Sequence, residues 1–232
     1  MAINQEQAKL RAAAAGANFV HDGMILGLGS GSTAELFVRE LGMKIARERL
    51  DIQVVATSER TASLANECGI RLIEPERVES LDLVLDGADE VDSEFRMIKG
   101  RGGALLREKI VASAARSRVI MVDRSKVVHR LGAKHALPVE ISTFGHQWTC
   151  SRLKRIVSEV RLRTLPNGEP FRTDGGNWIA DLNTGEIEDS VRLETRLLAI
   201  PGVYETGLFV DLCETLIVAD DDNVEILRKP GT

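Results

Sequence analysis

Four short apolar runs, Met24–Leu28, Ile52–Ala56, Leu81–Leu85 and Arg118–Val122, alternate with segments of helical period, and each ends in small, polar or charged residues. Strand-length runs separated by helices spell βαβ units, and therefore a parallel sheet covered by helices. The intervening segments agree: residues 5–20 carry Ala, Leu and Val at helical spacing, Thr33–Leu50 follows a glycine loop, Glu59–Cys68 ends at Gly69, and Ala104–Ala115 opens after a glycine cluster. Ile70–Ile73 reads as one more short strand. After Lys126 the rhythm breaks, Pro138, Pro166, Pro170 and Pro201 appear, and alternating stretches such as Arg172–Asp181 read as a small α+β subdomain over roughly 131–205. The tail returns to strand-like runs, Leu208–Val210, Thr215–Ala219 and Val224–Leu227, which are expected to join the first sheet.

In an open α/β sheet, ligands bind outside the carboxyl ends of the strands, where these four polar groups are expected to converge. Gly27-Leu28-Gly29-Ser30-Gly31-Ser32-Thr33 offers backbone approach, three hydroxyls and a helix N-terminus, a combination suited to phosphate. Read from Gly29 through Ala34 it also satisfies G-x-G-x-x-A, so a dinucleotide site competes with a phosphate site, as does a tight turn with no ligand. Asp86-Gly87-Ala88-Asp89-Glu90-Val91-Asp92 places four carboxylates directly after an apolar strand, and their repulsion needs compensation. A metal fits poorly, since no His or Cys lies nearby and the spacing is not that of a Ca²⁺ loop. Sugar hydroxyls and Lys99 are better partners, while Glu90 and Asp92 are expected to face water. Lys99-Gly100-Arg101-Gly102-Gly103 can aim backbone N–H groups and an ammonium at a developing oxyanion. Glu108 falls early in the next helix, off the stripe Leu106, Ile110 and Ala114, and is equally readable as an acid favoured by the helix dipole. Lys126, just past the fourth strand, is a further candidate for anion binding.

Thirty-five acidic against thirty basic residues among 232 leave a net charge of −5, which disfavours nucleic acid and anionic membranes as main partners. Cys68, Cys150 and Cys213 are odd in number and widely spaced, arguing against a disulfide framework and for a reducing compartment. The polar N-terminus and the lack of any run near ~20 apolar residues make the cytoplasm the expected location. The four histidines form no triad-like set, and Trp148 and Trp178 are expected to pack inside the subdomain.

Taken together, GLGSGSTA (27–34), TSERT (57–61), DGADEVD (86–92), KGRGGALLREKIVA (99–112), VDRSK (122–126), LPVEI (137–141), TDGGNWIAD (173–181) and PGVYETGLF (201–209) resemble type A ribose-5-phosphate isomerases in order and spacing. The resemblance implies an α/β fold: a Rossmann-like parallel-sheet domain over 1–130 plus 206–232, with an inserted ferredoxin-like α+β subdomain over 131–205. It implies a cofactor-free, metal-free aldose–ketose isomerase interconverting D-ribose 5-phosphate and D-ribulose 5-phosphate, as a homodimer or dimer of dimers. Carried over by motif, Glu108 is the acid/base moving a proton between C2 and C1. Asp86, Gly87, Ala88, Asp89, Lys99, Gly100, Arg101 and Gly102 line the sugar, with Lys99 stabilising the enediolate and Asp86 opening the ring. Ser30, Gly31, Ser32, Thr33, Lys126 and Lys9 hold the phosphate. The chain departs from the family where Arg101 replaces a frequent glycine, Ser30 a frequent threonine, and His135 enters the stretch AKHALPVE. Related sugar-phosphate isomerases, deaminases, CoA-transferase-like enzymes, a sugar-phosphate sensor and a dinucleotide-dependent oxidoreductase are the competing readings.

Overall fold

The computed structural model describes residues 4–231. In chain order its elements are α1 (Gln5–Ala17), β1 (Ile25–Leu28), α2 (Ser32–Glu48), β2 (Gln53–Ala56), α3 (Glu59–Glu67), β3 (Leu81–Asp86), β4 (Glu90–Val91), β5 (Met97–Ile98), α4 (Leu105–Ala114) and β6 (Ala115–Asp123). There follow β7 (Leu137–Ile141), α5 (His146–Leu153), β8 (Glu159–Leu162), β9 (Trp178–Asn183), α6 (Ser190–Leu198), β10 (Val203–Thr206), β11 (Leu208–Phe209), β12 (Thr215–Ala219) and β13 (Val224–Arg228). Two compact units emerge. One takes the chain up to Ala88, Arg107–Val127 and everything from Asp211; the other takes Asp89–Leu106 and Val128–Val210. This division differs from the expected 1–130 plus 206–232 and 131–205 chiefly in that Asp89–Leu106 and residues 206–210 sit in the second unit, where β5 pairs with β11.

The first unit is built on a six-stranded sheet in the order β13-β12-β6-β3-β1-β2, parallel except for β13. Alternation along the strands gives each face its own core. Leu26, Leu28, Val54, Leu83, Leu85, Val119 and Met121 pack with Phe37, Val38 and Leu41 of α2, whereas Val55 and Val84 pack with Val111 and Ala112 of α4. α1 buries a strip of small residues, Ala8, Ala12, Ala13, Gly16 and Ala17, and a Cβ on Gly16 would come within 2.4 Å of Met121 Sδ. Gly27 plays the matching part under α4, where a Cβ would meet Val84 and Val111 at 2.2 and 2.5 Å. β1 lies between β3 and β2, so the chain leaves it to one side and returns on the other, opening a crevice at the carboxyl ends of β1 and β3.

The second unit contains the antiparallel sheet β10-β7-β9-β8. Its order of elements, β7-α5-β8-β9-α6-β10, is the split βαβ arrangement of ferredoxin-like folds. Leu137, Val139 and Ile141 of β7 and Ala180 and Leu182 of β9 form its core with Leu153 of α5 and Leu197 of α6. A three-stranded sheet, β11-β5-β4, completes the unit.

Three expectations are corrected. Leu208–Phe209 pairs with β5 rather than with the parallel sheet, and Gly207 permits the close approach, since a Cβ there would lie 2.3 Å from the Lys99 carbonyl oxygen. Ile70–Ile73 is reduced to a bridge at Leu72 beside Val54, as the chain turns away at Pro75. Trp148 is 69% exposed rather than core; the interior side of α5 is taken by Thr149 and Leu153, while Trp178 meets His146 edge-on at 4.6 Å.

Candidate active site

In the first unit the site is built around the crevice between β1 and β3. Gly29 N–H donates to Leu85 O at 2.9 Å, and the Asp86 carboxylate, 4% exposed, accepts from the Ser30 and Gly87 N–H groups at 3.1 and 2.7 Å through Oδ1. A Cβ on Gly29 would lie 1.9 Å from that oxygen, so only glycine lets the carboxylate occupy this place. The Ser30 hydroxyl turns away from the loop mouth. It lies 2.8 Å from Thr57 Oγ1 and Ser58 Oγ and 3.2 Å from Thr61 Oγ1, while Thr57 and Thr61 donate to the carbonyls of Leu28 and Gly29. This hydroxyl cluster, legible beforehand only as the TSERT segment, ties the Ser30 side chain to the end of β2 and the first turn of α3. Gly31 (φ 99°, exposed) then hands the chain to α2, whose first turn has no side-chain cap and so presents the Ser32 and Thr33 end of the helix to an anion.

Asp123 closes β6. Its Oδ1 accepts from the Ser125 N–H at 3.0 Å and from the Ser125 hydroxyl, capping the single 3₁₀ turn Arg124–Lys126 that carries Lys126. Lys9 is half-buried on α1. Glu108 occupies the first turn of α4 and is 4% exposed. The expected stripe is corrected here: Ile110 is 58% exposed and Ala114 is exposed, and the buried face is Leu105, Glu108, Val111 and Ala112. Its burial sets Glu108 apart from an exposed acid that only complements the helix dipole.

The second unit holds the other motif residues. Lys99, 3% exposed, follows β5; its N–H donates to Gly207 O at 2.9 Å, and Nζ sits 5.5 Å from the centre of the Phe209 ring. Gly100 (φ 101°) starts a turn closed by the Gly103 N–H on Gly100 O at 2.9 Å, and the Arg101 N–H donates to Asp89 Oδ2 at 2.9 Å. Glu90 and Asp92, expected to face water, are buried instead, each with its own partners. Glu90 accepts from the N–H groups of Gly132, Lys134 and His135 at 2.7–2.8 Å, and Asp92 pairs with Arg96 at 2.8 Å while accepting from the Glu94 and Arg96 N–H groups. The repulsion read from four crowded carboxylates is thus relieved by backbone amides and one guanidinium. Arg101 and His135, two of the departures from the family pattern, line one cavity of about 500 Å³ with Asp89, Arg161, Arg163 and Asp181. Among the described residues no group of three or more His, Cys, Asp or Glu side chains is placed to hold a metal ion, and no helix is long and apolar enough to cross a membrane.

The family model for ribose 5-phosphate isomerase A (phosphoriboisomerase A) matches residues 53–223. The chain belongs to the ribose 5-phosphate isomerase A family. Its similarity to the member from Thermomicrobium roseum is 47% identity over 231 residues, covering 99% of this chain and 97% of that protein. The member from Maricaulis maris is 45% identical over 228 residues, covering 95% and 97%. Among solved structures, ribose 5-phosphate isomerase A from Methanocaldococcus jannaschii superposes with a TM-score of 0.92 at 36% identity, over 97% of this chain and 99% of that one. A D-ribose-5-phosphate isomerase in complex with phospho-erythronic acid superposes with a TM-score of 0.94 at 35% identity, over 97% and 100%. Within this ribose 5-phosphate isomerase A fold, Asp86, Glu108, Gly31–Thr33 and Lys126 belong to the parallel-sheet unit, and Asp89 and Lys99–Gly102 to the other. Sequence reasoning gave Arg163 and Asp181 no role, since nothing local shows that residues 18 positions apart pair with each other.

Proposed function

We propose that the protein interconverts D-ribose 5-phosphate and D-ribulose 5-phosphate through a cis-enediolate. The observation that carries this reading is the buried Glu108 carboxylate in the first turn of α4, nine positions after the buried Lys99, in a chain of this family. A C–H beside a carbonyl is a weak acid, so the reaction needs a positioned carboxylate and a stabiliser for the developing oxyanion. Glu108 moves the proton between C2 and C1; Lys99 and the glycine amides of the loop that follows it stabilise the enediolate. Asp86, held by two backbone N–H groups, opens the sugar ring, and Asp89 binds a hydroxyl. Ser30, Gly31, Ser32, Thr33 and Lys126 hold the phosphate with Lys9, and the Ser30 hydroxyl also ties the loop to Thr57 and Ser58. The reading needs no cofactor, takes a small sugar phosphate as its partner, sets the enzyme in the cytoplasm, and includes assembly as a homodimer or dimer of dimers.

The test is turnover of D-ribose 5-phosphate in D₂O, with ketopentose and deuterium incorporation followed together. Glu108→Gln, isosteric but unable to accept the proton, is expected to bind substrate and lose at least about 10²–10⁴-fold in kcat. Deuterium in the wild-type product supports the enediol route. Ketopentose formation by Glu108→Gln at a wild-type rate removes Glu108 from this role.

A further inference from the structure

Arg163, at the end of β8 and only slightly exposed, spends four N–H bonds in a way that its exposed neighbour Arg161 does not. Nε and Nη2 engage both oxygens of Asp181 on β9, the Nε contact at 2.8 Å. Nη1 donates to two successive main-chain carbonyls, Gly100 O at 3.0 Å and Arg101 O at 2.9 Å. The guanidinium carbon lies 5.7 Å from the centre of the Phe171 ring, and that ring closes on the same loop, since a Cβ on Gly103 would meet it at 2.3 Å.

A peptide's carbonyl and N–H point in opposite directions across one rigid plane. Holding the Gly100 carbonyl toward Arg163 therefore drives the Arg101 N–H the other way, where it meets Asp89 Oδ2 at 2.9 Å. Holding the Arg101 carbonyl does the same for the Gly102 N–H, at an exposed residue with no side chain in the way. Gly100, at φ 101°, and Gly102 resist distortion poorly by themselves, so an amide that holds Asp89 and a second aimed at an oxyanion need an external brace. A fork fixed on a carboxylate by two N–H bonds and stacked near an aromatic ring is such a brace; a lysine is not.

We propose that Arg163, locked by Asp181, is a positioning residue of the isomerisation: it sets the direction of the Arg101 and Gly102 amides and, through the first, of the Asp89 carboxylate. The proposal rests on the isomerase reading, for it assigns the Gly102 amide to the enediolate and Asp89, held by the Arg101 amide, to the sugar. Arg163 itself touches no substrate. It is expected to matter more to the transition state than to ground-state binding, because preorganised donors act where charge develops.

The test compares Arg163→Met and Asp181→Asn with wild type in three measurements: kcat and KM for D-ribose 5-phosphate, the dissociation constant of phospho-erythronic acid, whose carboxylate resembles the enediolate, and amide hydrogen exchange over 99–104. For Arg163→Met, kcat is expected to fall about 10- to 100-fold with KM within about threefold, since misplacement near 1 Å costs on the order of 10². Phospho-erythronic acid affinity should fall in step with kcat/KM, and exchange over 99–104 should quicken while peptides from β1 and β3 keep their rates. Asp181→Asn, which leaves the guanidinium and its two carbonyl contacts in place, should lose about three- to tenfold in kcat, and it decides alone if Arg163→Met does not fold. A folded Arg163→Met with wild-type kcat, or one in which only KM rises, overturns the proposal. Wild type without turnover defeats the isomerase reading instead, and the exchange rates then judge the brace by itself.

Discussion

Cys213 shows how far a single buried residue reaches into the protein's pH response. Burial pushes its thiol up to about 12, with the neighbouring Glu214 carboxylate acting in the same direction and Lys229 against it. The folded protein keeps this proton to higher pH than the unfolded chain, whose thiol ionises near its ordinary value of 9.0. Between about pH 9 and 12 the unfolded state therefore binds fewer protons, and stability falls by up to about 1.4 kcal/mol per pH unit from this residue. Urea midpoints at pH 8.5 and 10.5 should drop more steeply for wild type than for Cys213→Ala, and Cys213 should resist alkylation at pH 8 until the chain unfolds. Equal slopes for the two proteins would remove the thiol from the account. The same lesson holds at Glu90: what a buried polar group does is set by partners that the sequence does not place beside it. The motifs could be read as a site because residue type and spacing carry that information. The inward turn of the Ser30 hydroxyl and the burial of Glu90 could not, because both depend on residues about 30 to 45 positions away.

At the scale of elements, the strands and helices of the parallel sheet were legible because period and glycine punctuation are local. Each of the four parallel strands read from the apolar runs has its counterpart in β1, β2, β3 and β6, with β6 longer because it starts directly after α4. Long-range pairing was not legible. β11 reads like any strand of the tail, yet it pairs with β5, where a side chain at position 207 would clash. The face of α4 was misread for a related reason, since a period over Leu106, Ile110 and Ala114 matches the alternative through Leu105, Glu108 and Val111 when the buried member is an acid. β4 supplies a test of how such elements are tied down. Glu90 on this two-residue strand satisfies three amides of the 132–135 loop, so Glu90→Gln keeps one acceptor and turns an NH₂ toward an N–H donor. A loss of about 1–3 kcal/mol is expected in urea unfolding, with faster amide exchange over 131–136 and no matching change over β1–β3. An unchanged loop exchange rate would mean that the loop does not depend on this carboxylate.

For the whole molecule, the chain crosses between its two units at four places in sequence, near residues 88, 106, 127 and 210, so the first unit is complete only when its last segment has been made. That segment does unequal work. β12 pairs in parallel with β6 and buries Leu216, Ile217 and Val218, at roughly 2 kcal/mol for each side chain, or about 6 kcal/mol against a typical domain stability of about 5–15. Glu214 adds an ion pair with Arg118 and accepts its N–H at 2.7 Å. β13, by contrast, is exposed along all five residues and lies at the sheet's edge. A chain ending at Val210 leaves the buried half of β6, Val119–Asp123, as an open edge and is expected to be insoluble or to lack a cooperative urea transition. A chain ending at Asp222 keeps β12 and should retain near-native circular dichroism and a cooperative transition at a lower urea midpoint. If the Val210 truncation unfolds as cooperatively as the full chain, then β12 is an addition to a sheet already stable without it, and the last 22 residues are dispensable for the fold.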